Sequence, residues 1–136
     1  MSQKAISDAL EGAVRAVPGM VALVEAGTPV TPPSGQPYAS FDVLFNTPTV
    51  VTLGEEGYDR HTGFVQLTLR YPPGPNSKDQ ILTLADAIRE SFKAGSRAYS
   101  GDQEVVIQNS GLGNFDVVSG RLVNPFTIYW YALTRR

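Results

Sequence analysis

The chain has one histidine, His61, and no cysteine. His61 stands in the run GEEGYDRHTGFVQLTLRYPPGPN, Gly54 to Asn76, directly after Tyr58, Asp59 and Arg60 and shortly after Glu55 and Glu56. A histidine beside carboxylates could act as a general base, and with a serine it could activate a nucleophile. The rest of the chain completes neither arrangement. Ser34, Ser96 and Ser110 occur in ordinary loop contexts, outside the G-x-S-x-G setting that presents a nucleophile on a strand–helix turn. Asp59 and Arg60 beside His61 resemble a surface charge cluster rather than an oriented base. No catalytic residue is therefore assigned.

Metal and phosphate chemistry fare similarly. Glu55, Glu56 and Asp59 lack the alternating acidic spacing that wraps calcium, and the absence of cysteine removes thiolate cages. GLGNFD from Gly111 carries two glycines of a dinucleotide fingerprint, but the third is missing and no helical pattern follows. A hairpin turn accounts for both glycines. Tyr129, Trp130 and Tyr131 have no interleaved Lys or Arg, unlike a base-stacking platform. No cofactor, metal or nucleic-acid partner is expected.

A chain of 136 residues suits one domain with one core, spanning 1–136. The N-terminus, MSQKAISDALEGAVRAV, lacks the apolar core of a signal peptide, and the apolar runs are too short to span a bilayer. A soluble protein with no membrane partner is expected. The net charge of −2 is unevenly spread: residues 1–59 hold seven acids and two bases, residues 60–136 six acids and nine bases. Such asymmetry can complement a neighbouring copy of the same chain.

The elements that must position these residues are legible from periodicity. Ile6, Leu10, Ala13, Val14 and Val17 recur at helical spacing, with Ser2 as N-cap and Pro18-Gly19 as the stop. MVALVEAG reads as a short buried strand ending at Gly27. Four prolines (Pro29, Pro32, Pro33 and Pro37) stiffen the next loop into an arm lying over a surface. ASFDVLF and TVVTL read as strands, and Gly54 to Thr62 as a polar loop. Val65, Leu67, Leu69 and Tyr71 then alternate with Phe64, Gln66, Thr68 and Arg70, a strand with one face on a core. Ser77 and Gln80 suggest a capping box for a second helix with the stripe Ile81, Leu84, Ala85, Ile88 and Phe92, ended by Gly95. EVVIQ, NFDVV and LVNPFTIYWYAL close the chain as strands. This order predicts an α+β domain: two helices packed on one face of a mostly antiparallel, twisted sheet.

The closing strand carries apolar or aromatic residues on both faces. Helices can cover only one of them, so the strand must be central, or its second face must be covered, for instance by another subunit. Together with the stiff arm and the charged loop, this describes a binding or assembly module more readily than an enzyme.

The arrangement resembles the tail terminator, or tail completion, proteins of long-tailed bacteriophages and prophages. The resemblance runs nearly the full chain, through ISDALEGAVRAVPG, TPVTPPSGQPYASFDVLF, RHTGFVQLTLRYPPG, LADAIRESFKAG and SGLGNF before the aromatic closing strand. It implies a subunit that assembles as a hexameric ring on the finished tail tube, stops tube polymerisation and offers a surface for joining tail to head. The implied partners are further copies of itself, the tail tube protein and a head–tail connector protein. The implied location is the bacterial host cytoplasm during assembly, then the virion tail. On that reading Pro29, Pro32, Pro33 and Tyr38 of the arm, and Glu55, Glu56, Tyr58, Asp59, Arg60 and His61 of the loop, carry subunit or tube contacts. A neck, head-closure or minor tail subunit of similar fold is an alternative. From a different class, a small enzyme would need a pocket lined by Tyr58, His61 and the closing aromatics.

Overall fold

The first helix, α1 (Gln3–Arg15), buries Ile6, Ala9, Leu10 and Val14, so the expected stripe is the packed one. The computed structural model describes residues 3–25, 37–114, 116–118 and 120–135. The expected N-cap Ser2 and the prolines Pro29, Pro32 and Pro33 lie outside the described residues. After α1 come β1 (Ala22–Glu25), β2 (Tyr38–Phe45), β3 (Thr49–Val50) and β4 (Tyr58–Tyr71). A second helix, α2 (Ser77–Ser91), precedes β5 (Arg97–Ser100), β6 (Gln103–Leu112), β7 (Asp116–Val118) and β8 (Arg121–Arg135).

The spine of the fold is the antiparallel pair β4–β8, in register from Tyr58 opposite Arg135 to Tyr71 opposite Leu122. The strand order is β1-β2-β4-β8-β6-β5, with β3 added beside β4 and β7 beside β8. β8 is thus an inner strand, with both rows of its backbone groups engaged.

The architecture is α+β with two helices, but the sheet is mixed and curled rather than simply antiparallel. β1 runs parallel to β2, Ala22 opposite Tyr38 and Leu23 opposite Ala39. Residues 26–37 separate these two strands, the length that a parallel connection requires. β1 is also an edge strand with Ala22 exposed, in place of the buried strand expected there.

One face of the sheet carries the core. Val65, Leu67 and Leu69 of β4 lie opposite Ile128, Phe126 and Asn124 of β8, and the three β4 side chains are fully buried. Both helices bury their stripes in this same cluster, α2 through Ile81, Leu84, Ala85 and Ile88. Trp130 is fully buried there and meets the Phe45 ring edge-on, with centroids 5.3 Å apart at 76°. That arrangement sets the positive ring edge against the negative face.

Three local expectations are corrected. Ser77 is the first helical residue rather than the cap of a capping box, and Asn76 at the N-cap makes no side-chain cap bond. The Ser77 hydroxyl donates instead to the Pro72 carbonyl at 2.6 Å, tying the preceding loop to the helix. Gly95 adopts φ +87, but the helix has already ended at Phe92; Gly95 N–H donates to the Ile107 carbonyl at 2.7 Å and aligns the chain for β5. Finally, the polar loop at Gly54 ends at Gly57, because β4 starts at Tyr58 and takes in Asp59, Arg60, His61 and Thr62. Those residues are strand because the end of β8 extends far enough to pair with them.

Candidate interaction surface

The charged run first picked out by its histidine divides between a strand and a turn. Thr49 and Val50 pair with Arg60 and Asp59, making a hairpin whose turn spans residues 51–57. The turn is internally bonded. Val51 N–H donates to the Tyr58 carbonyl at 2.9 Å, Tyr58 N–H to Thr52 Oγ1 at 2.7 Å, and Gly57 N–H to the Gly54 carbonyl at 3.2 Å. At its base Asn46 binds Thr62 twice, backbone N–H to carbonyl at 2.9 Å and Nδ2 to Oγ1 at 3.1 Å. The tip is therefore a held shape. Glu55 and Glu56 are exposed on it, and so are Val50, Val51 and Leu53, the last 92% exposed.

His61 does not join that tip. Its strand position, opposite Ala132, puts it on the helix side of the sheet, half-buried. Nε2 shares a 2.8 Å hydrogen bond with Oγ1 of the buried Thr134, and Nδ1 has no partner among the described residues. A relay would need an acceptor on one ring nitrogen and a nucleophile on the other. Here one nitrogen is engaged by a structural threonine. The hollow beside Tyr58 is walled by Thr52 to Tyr58 alone, so it does not bring Tyr58 together with His61 and the closing aromatics. Among the described residues no group of three or more His, Cys, Asp or Glu side chains is placed to hold a metal ion.

Arg60 faces the other way, with its guanidinium 4.5 Å from the centroid of the Tyr131 ring. Tyr38 lies on this same side, opposite α1 and α2, but at the far end: it pairs with Arg70, and Arg121 covers its ring at 5.0 Å. Arg60 and Arg70 are ten positions apart along β4, about 30 Å of extended chain. The structure thus gathers Glu55, Glu56, Tyr58, Asp59 and Arg60 at one end of the sheet and leaves Tyr38 at the other.

The sequence reading missed the two apolar features of this surface. One is the hairpin tip with Leu53, whose signal is a lone leucine between Thr52 and the polar GEEG. The other is the sheet face opposite α1 and α2, where Leu44 and Tyr129 are exposed in the middle and Leu133 towards the hairpin end, and Phe64 packs against Tyr129 with centroids 6.1 Å apart. For that face the two-sided closing strand was the signal. Exposed apolar groups clustered on a rigid surface mark interaction sites more often than chance.

A family model described as phage tail terminator protein matches residues 5–118. The chain belongs to the phage tail terminator family. It is a structural component of a bacteriophage tail. One solved structure, 19% identical, superposes with a TM-score of 0.74 over 98% of this chain and 96% of its own, and at that identity it attests the fold. No curated protein matches the chain.

Proposed function

We propose that this tail terminator caps the tail tube as a hexameric ring, ending addition of tube subunits and offering the surface to which the head is joined. The match of the family model over residues 5–118 carries this reading. The geometry is consistent with it: the charged run builds a rigid hairpin tip, and the lone histidine braces β4 against β8. Capping needs no bond to be made or broken. A ring closes through head-to-tail contacts between two different patches, so each subunit must carry both. The arm Pro29 to Tyr38 and the run Glu55 to Thr62 supply contacts to neighbouring copies, to the tube protein or to the connector protein. Assembly takes place in the bacterial cytoplasm, and the product stays in the virion tail.

Electron microscopy of purified tail tubes mixed with this protein tests the reading. A ring of density at one end of each tube, together with loss of further tube growth, is the expected result. Tubes that stay bare and continue to elongate would refute it. Charge reversal at Glu55, Glu56 and Arg60 tests the contact assignment separately, because full complementation by that variant would remove the hairpin from the interface.

A further inference from the structure

The sheet face opposite α1 and α2 contains a hollow of about 250 Å³ lined by Arg97, Glu104, Val106, Tyr131, Ala132 and Leu133. Its floor is apolar, and Arg97 pairs with Glu104 across its rim. Arg60 stands beside the hollow, opposite Leu133; Arg70 and Arg121 occupy the same side at the other end of the sheet, with Asp42 between. The hairpin tip has the complementary character. Leu53 stands out from the tip, with the exposed Glu55 and Glu56 beside it and no lysine or arginine between residues 51 and 57.

We infer that in the assembled ring Leu53 of one copy enters the hollow beside Val106 and Leu133 of the next, with Glu55 meeting Arg60 of that copy. The contact deepens the ring reading and rests on it. Three observations support this occupant over others. The tip carries Glu55 and Glu56 beside an exposed leucine, while Arg60 and Tyr131 flank an apolar hollow, which favours approach and register. The hollow is of a size to take one leucine side chain. Donor and acceptor are different patches on one chain, as a closed head-to-tail ring demands. The turn bonds hold the tip in place, so little conformational freedom is lost on docking.

The absence of cysteine makes a direct test available. Full-length Leu53→Cys protein is mixed with full-length Val106→Cys protein, or with Leu133→Cys protein, on purified tail tubes under mild oxidation. Any disulfide joining the two variants is then between copies, and it forms only where Cβ atoms come within about 4.5 Å. The expected result is a covalent dimer as the main species of tube-bound chain in at least one mixture, absent when Leu53→Cys is oxidised alone. If both mixtures bind the tube ends and neither cross-links, this contact is wrong and the ring reading stands. If the unmodified protein fails to bind tube ends, the ring reading falls and this contact with it. Leu53 is exposed, so that substitution leaves the core untouched; far-ultraviolet circular dichroism of each variant checks its fold.

Discussion

His61 Nε2 and Thr134 Oγ1 lie 2.8 Å apart, joining the start of β4 to the end of β8. The bond ties down the stretch of sheet from which the hairpin projects. Replacing Thr134 by Val keeps the shape and leaves the imidazole nitrogen without its partner. A net loss of about 1 kcal/mol in unfolding free energy is expected, read by urea titration at neutral pH. Unchanged stability would mean that water replaces the threonine at no cost, and the bracing role would be lost.

Gly63 is a sharper structural test. A Cβ built there meets Trp130 Cζ2 at 2.8 Å and collides with the Leu44 carbonyl on the other side. Neither neighbour can give easily, since Trp130 is fully buried and the Leu44 carbonyl belongs to the paired strand β2. Gly63→Ala should cost at least the ~1–3 kcal/mol typical of overpacking. Thermal unfolding measures it, and a variant as stable as the parent would show that β2 is able to slide away from β4.

Which parts of this fold could be read from sequence follows from which forces are local. Both helices were legible because Ile6, Leu10 and Val14, and Ile81, Leu84 and Ile88, repeat at 3.6-residue spacing whatever they pack against. The alternation from Phe64 to Tyr71 likewise exposed the middle of β4. The start of β4 was hidden because Asp59, Arg60 and His61 are strand only through the distant end of β8. β5 was not recognised, since of its four residues only Ala98 is buried. The parallel pairing of β1 depends on the route of the chain between strands, which periodicity does not record. The interaction surface was half legible: the acidic run and the two-faced closing strand were visible, but their opposite placement relative to His61 was not.

Burial holds the Tyr71 phenol above its ordinary ionisation range. In the unfolded chain this phenol ionises near pH 10. Below that pH both states are protonated, and its contribution to stability is complete. As pH rises beyond about 10, the unfolded chain gives up its proton first, and stability falls until the folded-state value is passed. Unfolding free energies measured from pH 8 to 11 should therefore decline less steeply for Tyr71→Phe than for the parent. Parallel curves for the two proteins would show that Tyr71 ionises alike in both states.

Leu53 separates folding from assembly more cleanly than any charged residue of the hairpin. It is 92% exposed, while Thr52 Oγ1 and the Tyr58 carbonyl carry the turn bonds, so Leu53→Asp removes no contact the isolated subunit needs. Its unfolding free energy should stay within about 0.5 kcal/mol of the parent. Docked against another chain, the new carboxylate would have to leave water among Val106, Tyr131 and Leu133, where Arg97 is already paired with Glu104, which is unfavourable. Complementation of a terminator-deficient phage should then fail, with tubes left uncapped under the electron microscope. A normal titre would place the tip in solvent in the finished tail, and the partner surface would have to be sought elsewhere on the subunit.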